Sequence, residues 1–347
     1  MMKSTLHTII SLALLVSVTL MSSCQKDPVT EPEQELEKHY IRFNVSSVDS
    51  HTTKATIIDG MEDFEGYYGE TGFGVFVKDN SYVPFSGVHD EPFYGRNVRF
   101  VLKDSTGVWL PDEEIEWPST GTDFYCYAPY NPDWVIDEDG KFHYTTPADN
   151  AGHLDLMVAS QIGVDPNHNR PVDLEFHYAL TGIAFVTGNI ETAGVFKKIS
   201  FKGIYGEADY SFLPAPPETS AAGWLNHSNT TGTYSLNHLG EDGNGFAVNT
   251  DMLPNIPITT TDDIFFFIPQ TLSPDAVMEI EFNDGIADQT LTANLAELTV
   301  KDSEDLCNVW EQGYLYTYYV SISSTEISIN PVITPYNYTG NRYFVTD

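Results

Sequence analysis

Basic residues are scarce in this chain: 16 Lys and Arg stand against 50 Asp and Glu, a net charge of −34 over 347 residues. Neutralising a phosphate backbone requires clusters of Lys and Arg, so nucleic acid is excluded as a partner. The same deficit disfavours electrostatic docking onto anionic lipid. Cysteine is scarcer still. Three Cys cannot staple a chain of this length, so large apolar cores must hold it together. Motifs that carry chemistry are missing as well. There is no G-x-S-x-G elbow, no phosphate-cradling Gly loop, no HExxH and no paired Cys-x-x-Cys, and the ten His are scattered. No catalytic residue, metal ligand or cofactor site is therefore expected. Fifty carboxylates guarantee some close pairs, so an acid pair of glycosidase type carries no information here. An enzyme is not expected.

What the chain does contain is a folding composition, 41% apolar and 13% aromatic, long enough for about two domains. Its N-terminus gives an address. Residues 9–21 (IISLALLVSVTLM) have the length of a signal-peptide core and fall short of the roughly 20 residues a membrane span needs. Met21-Ser22-Ser23-Cys24 follows directly and resembles a bacterial lipobox, with cleavage before Cys24 and lipidation of its thiol. At about 0.8 kcal/mol per buried CH₂, several acyl chains anchor firmly. Removing residues 1–23 takes one Lys and no acid, which moves the net charge from −34 to −35. Residues 24–38 continue as a polar, acidic, Pro-containing stretch, expected to be a solvated tether. The expected location is the outer membrane and cell surface, with lipid as the anchor.

The remainder reads as strands. Ile41, Phe43 and Val45 alternate with Tyr40, Arg42 and Asn44, and the same period of two recurs at Phe73, Val75 and Val77 and at Val98, Phe100 and Leu102. Met278, Ile280 and Phe282 alternate with Glu279 and Glu281. A ladder at Tyr314, Tyr316, Tyr318, Val320 and Ile322 is expected to continue through Ile327 and Ile329. Residues 264–268 (IFFFI) fit a strand covered on both faces. Asp139-Gly140, Asp242-Gly243, Asn244-Gly245 and Asp284-Gly285 supply turns, and residues 287–298 fit a short helix or a further strand. The fold class is all-β, as two sandwiches in tandem.

Several local features invite a bland reading. Asp137-Glu138-Asp139-Gly140 lacks calcium-loop spacing and fits a hairpin turn, and Asp302, Glu304 and Asp305 fit a solvated loop. His177 fits a hydrogen-bonded structural role. Trp109, Trp117, Trp134, Trp224 and Trp310 fit packing better than a sugar-stacking platform. Cys126 and Cys307 fit a disulfide or two buried thiols, the thiols being favoured.

Taken together, the segments resemble the fimbrillin-like lipoproteins of Bacteroidetes, subunits of type V fimbriae. The resemblance lies in residues 41–45 (IRFNV) followed by 53–56 (TKAT), 73–76 (FGVF), and Trp109 with 116–118 (EWP) and 124–130 (FYCYAPY). It continues through 154–159 (LDLMVA), 172–185 (VDLEFHYALTGIAF), 267–270 (FIPQ) and 310–316 (WEQGYLY). It implies two transthyretin-like Greek-key β-sandwich domains, at residues 39–190 and 191–347.

It also implies a mechanism of assembly. An extracellular protease cuts after a basic residue, here Lys54 before Ala55, where the family has Arg. The first strand then leaves with its inward residues Ile41, Phe43 and Val45, and a C-terminal strand of the next subunit fills the groove. Residues 325–347 are the candidate donor, through Ile327, Ile329, Val332 and Ile333; a strand folded back on its own second domain is an equal reading of that segment. The implied function is a fimbrial structural subunit, the stalk favoured over anchor or tip, with other fimbrial subunits as partners. A host or bacterial surface ligand is a further expected partner. The rival reading is a non-polymerising surface lipoprotein that binds glycan.

Overall fold

The computed structural model describes residues 40–47, 66, 68–79, 93–103, 109–118, 121–165, 171–212, 223–240, 243–323 and 327–335. The described residues all belong to one compact unit. The signal peptide, Cys24, the tether, Lys54 and Ala55 lie outside the described residues. The strands run in chain order as β1 (Phe43–Ser47), β2 (Phe73–Asp79), β3 (Phe93–Leu102), β4 (Trp109–Pro111), β5 (Thr122–Ala128), β6 (Lys141–Thr145) and β7 (Met157–Val164). Next come β8 (Val172–Tyr178), β9 (Thr181–Ile190), β10 (Gly194–Lys202), β11 (Glu207–Ser211), β12 (Trp224–Ser228), β13 (Thr233–Leu236) and β14 (Phe246–Val248). The last are β15 (Phe265–Phe267), β16 (Gln270–Thr271), β17 (Val277–Asn283), β18 (Asp288–Asn294), β19 (Val309–Trp310), β20 (Tyr314–Ile322) and β21 (Ile327–Pro335). The protein is all-β. Residues 287–298 take the strand option, as β18 and a 3-10 turn at Leu295–Glu297.

In the first half, seven strands close on themselves in the order β1-β4-β3-β2-β5-β7-β8. A sheet of order β12-β11-β6 covers part of this ring, and its β11 and β12 come from beyond Ile190. In the second half, a sheet of order β13-β10-β17-β18, with β14 also on β10, accompanies one of order β15-β9-β20-β21.

The apolar run at residues 264–268 explains how the halves are joined. Ile264, Phe266 and Ile268 enter the first core, whereas Phe265 and Phe267 enter the second. A strand's side chains alternate between two faces, so an uninterrupted apolar run requires an apolar neighbour on each. Its neighbour β9 behaves likewise, with Ala184 in the first core and Ile183 and Phe185 in the second. Ala208, Phe212 and Trp224 also enter the first core from beyond Ile190.

Two strands differ from the half-buried reading. β2 is covered on both faces, because Phe76 stacks on Tyr127 (6.0 Å), Tyr127 on Trp134 (4.6 Å) and Trp134 on Phe142 of β6 (5.1 Å). This is why Gly74 stands in β2: a Cβ there would lie 2.3 Å from the Tyr127 ring. β20 is also buried on both faces, as a central strand, and the ladder does not continue through Ile327 and Ile329. Those residues sit on β21, which turns back antiparallel to β20. The Asp-Gly and Asn-Gly turns have Gly140, Gly243, Gly245 and Gly285 at positive φ, the conformation glycine adopts without steric cost.

Candidate functional site

β1 occupies a seam. On one side it pairs parallel with β8 over five positions, from Phe43↔Val172 to Ser47↔Phe176. On the other it meets β4 at a single ladder position, Phe43↔Trp109, assisted by a Tyr40↔Glu116 bridge and an Ile41 N–H donated to the Ile115 carbonyl at 2.9 Å. Its inward side chains are Ile41, Phe43 and Val45, all buried. Phe43 is held edge-on by Phe100 (4.9 Å), Phe124 (5.2 Å) and Phe73 (6.1 Å). Burial of side chains this size contributes about 1.5–3 kcal/mol each. β1 is thus held chiefly by three apolar anchors and one ladder of backbone bonds.

The outer face of β1 is polar and specific. Arg42 makes a bidentate pair with Glu114, Nη1 to Oε2 at 2.8 Å and Nη2 to Oε1 at 2.9 Å, and lies over the Tyr40 ring. Asn44 donates to Asp173 at 2.9 Å. These groups are partly exposed, so solvent limits such a pair to about 0.2–1 kcal/mol. Their value is in register, because a one-residue slip would point Arg42 inward. Glu114 and Asp173 were not singled out by sequence reasoning, since nothing local distinguishes them among fifty acids.

β21 is an edge strand. It pairs antiparallel with β20 along nine positions, Tyr314↔Pro335 to Ile322↔Ile327. Ile329 is buried, Val332 and Ile333 are half-buried, and the backbone of Ile327 begins the strand. Residues 327–335 of the candidate donor segment thus lie on a sheet of their own chain. Residues 336–347 lie outside the described residues.

The family-like stretches near residues 267–270 and 310–316 have structural work. Gln270 accepts the Tyr205 N–H (2.7 Å) and donates to the Tyr205 and Ile268 carbonyls (3.1 and 2.9 Å). Gly313 N–H donates to the Leu180 carbonyl, and Thr181 Oγ1 to the Glu311 carbonyl, so this loop is bolted to the β8–β9 junction. A cleft of about 510 Å³ lies beside it, lined by Trp224, His227, Trp310, Gln312 and Tyr314 among others.

The bland readings fare differently. Asp137 accepts the Asp139 and Lys141 N–H groups, which makes an Asx turn, and Asp302, Glu304 and Asp305 form an exposed loop. Among the described residues, no group of three or more His, Cys, Asp and Glu is placed to hold a metal. His177 is exposed on β8 rather than built into the structure, because that strand alternates buried and exposed positions and His177 falls on the outer set. Trp109, Trp224 and Trp310 are buried, and Trp117 and Trp134 are half-buried against the first core. Cys126 and Cys307 are free thiols in different cores.

The chain is all-β, and its first strand closes a seven-stranded ring between β8 and β4. The fimbrillin-like family matches residues 53–335, and the chain belongs to that family. Its fold is similar to that of a fimbrial protein from Bacteroides vulgatus, at 15% identity over 86% of this chain and 100% of that one, with a TM-score of 0.55. Two candidate cell adhesion proteins are also similar. That from Bacteroides ovatus has 15% identity, 86% and 98% coverage and a TM-score of 0.54. That from Bacteroides uniformis has 14% identity, 86% and 99% coverage and a TM-score of 0.51. No curated protein matches the chain.

Proposed function

We propose that this protein is a non-catalytic structural subunit of a cell-surface fimbrium, assembling with other fimbrial subunits by strand exchange at the β1 seam. Family membership supports the fimbrial role. The observation that carries the exchange is the placement of β1: three inward anchors in apolar pockets, five ladder positions with β8 and one with β4. Its departure would expose those pockets together with unpaired backbone groups of β8 and of Ile115. An incoming alternating strand satisfies both at once.

In this reading the precursor is lipidated at Cys24 and held at the outer membrane. Cleavage at Lys54–Ala55 then separates β1 from the body of the chain. While that link is intact, β1 has a high effective concentration over its own groove and a donor cannot compete. Two β-sandwich modules fused through the shared β9 and β15 carry the subunit, and the presence of a cut site favours the stalk over the anchor or tip. The glycan-binding alternative calls for an exposed aromatic platform, and none of the five Trp is exposed.

The test replaces residues around Lys54–Ala55 with the recognition sequence of a site-specific protease and follows the cut chain by mass spectrometry, gel electrophoresis and electron microscopy. SDS-resistant ladders that require the cut support the reading. A cut chain that stays monomeric at high concentration refutes it.

A further inference from the structure

The open edges of the sheets are not alike. A strand edge with unpaired backbone groups is a template for another strand, and natural proteins blunt such edges with proline, bulges, charge or a covering loop. β21 contains Pro331 and Pro335, and its Pro331 carbonyl accepts the Lys301 N–H at 2.7 Å. β13 donates the Ser235 N–H to the Ala148 carbonyl at 2.9 Å, and β15 donates that of Phe266 to His153. β12 has a bulge in its pairing with β11 and Asn226 at positive φ.

β18 carries none of these devices. It pairs with β17 without a register shift from Val277↔Asn294 to Asn283↔Asp288, and its sequence DQTLTAN has no proline, glycine or basic residue. Two flanking bonds fix which way its backbone points: Asp284 N–H to the Ala287 carbonyl, and Leu295 N–H to the Ala276 carbonyl. Antiparallel strands alternate between bonded and non-bonded positions, so Gln289, Leu291 and Ala293 bond to β17. The N–H and C=O groups of Asp288, Thr290, Thr292 and Asn294 therefore point outward, and none of the described residues pairs with them.

The strand is also complementary to itself. With a second β18 laid antiparallel and centred on Leu291, Thr290 faces Thr292, Asp288 faces Asn294 and Gln289 faces Ala293. The outward groups then fall on bonded positions. Leu291, half-buried against its own core, meets its copy on the two-fold axis at a non-bonded position, where side chains approach most closely. No like charges oppose each other, although the chain carries −34. Asp288, the one acid in the strand, is bonded to Lys197 and to Asn283, each at 2.6 Å. On β17, Glu279 and Glu281 are paired with Lys202 and Lys198. Ile286 at the hairpin tip is 91% exposed, and this register brings it beside the 295–297 turn of the other copy.

We propose that β18 is a docking edge for β18 of a second copy of this chain, which joins the two five-stranded sheets into one across a two-fold axis. Such a contact closes after two copies, so it sets subunits side by side and does not build a fibre. It needs no cut at Lys54–Ala55 and is independent of strand exchange at β1.

The test uses the uncut chain carrying Cys24→Ser, so that the buried Cys126 and Cys307 are the only thiols besides any introduced. Sedimentation equilibrium over a concentration series should show a reversible monomer–dimer equilibrium. Thr290→Pro removes an outward N–H, leaves the bonds to β17 in place, and should weaken the dimer at least about tenfold. Thr290→Ala keeps that N–H and should stay within about threefold of the parent. A chain that remains monomeric up to about 1 mM, or equal weakening by the two substitutions, would overturn the proposal. Cross-linking tests the register and carries the decision should Thr290→Pro fail to fold. Leu291→Cys should give a covalent dimer on mild oxidation, since facing non-bonded positions lie about 4.5 Å apart between Cα atoms, within disulfide reach. Gln289→Cys, placed opposite Ala293, should not. Cross-linking of both to the same extent, or of neither, would overturn the pairing of β18 with itself.

Discussion

The backbone N–H of Phe266 donates to Nδ1 of His153 at 2.8 Å, although 113 positions separate the two residues. Phe266 lies on β15, which pairs with β9 alone within its sheet, so this amide faces away from the ladder. Nε2 of His153 contacts the Pro147 carbonyl at 2.9 Å, and Asn150 donates to the carbonyls of Asp263 and Ile264. A loop from the first half thus caps an open strand edge of the second.

That cap is sensitive to acid. Burial lowers the His153 pKa from 6.5 to about 4, outweighing the Pro147 carbonyl and the Asp149 carboxylate, which pull upward. The folded value lies below the unfolded one, so the fold prefers neutral imidazole. Its contribution is complete above pH 6.5 and is lost as pH falls from there towards 4, by about 3 kcal/mol in all. Chemical denaturation between pH 7.5 and 4.5 should show this fall in the parent protein. In a His153→Gln variant the fall should be shallower, on a baseline about 1–3 kcal/mol lower.

Replacing Phe43 by Ala should cost about 3–5 kcal/mol, because the surrounding Phe73, Phe100 and Phe124 belong to a ring that cannot collapse into the space. Asn44→Ala, on the outer face of the same strand, should cost under about 1 kcal/mol. Urea titration of both variants measures the contrast, and near-equal losses would place β1 outside the core.

Gln270 holds Tyr205 by its N–H and its carbonyl, and Gln270→Ala leaves both without that partner. The expected loss is about 2–4 kcal/mol by urea denaturation. The variant should change stability without changing whether the cut chain can bind a strand.

Neither Cys126 nor Cys307 should react in the folded protein. Burial raises the thiol pKa of Cys126 well above its usual value and that of Cys307 to about 12, so little thiolate forms at neutral pH. Iodoacetamide at pH 8 should label both only in denaturant, as read by intact mass, and reductant should leave the melting temperature unchanged.

Much of this was open to a reading of the sequence, and the exceptions have physical causes. The alternation at residues 41–45 and 278–282 marks strands with one covered face, and the structure buries the apolar sets of both. The Asp-Gly and Asn-Gly pairs mark turns because only certain residues tolerate positive φ. Partners far apart in sequence were not visible. Nothing near Phe76 announces the ring stack that covers it, and nothing near His153 announces Phe266. The route of β21 was equally hidden, since its alternation suits its own sheet as well as a neighbour's. At the seam, the apolar residues of β1 could be named from the pattern. The polar rim could not, because Glu114 and Asp173 acquire meaning only through register.

The central claim, that β1 must leave before another strand can enter, is tested by locking it in place. Asn44 and Asp173 are directly opposed on β1 and β8 and touch through their side chains, so N44C/D173C places two thiols on facing positions of an exposed surface. The chain carrying this pair and the engineered site at Lys54–Ala55 is oxidised, cut and assayed for SDS-resistant oligomers with and without reductant, the samples being alkylated before electrophoresis. Oligomers are predicted only after reduction. Equal yields from the oxidised, cut chain would contradict the account.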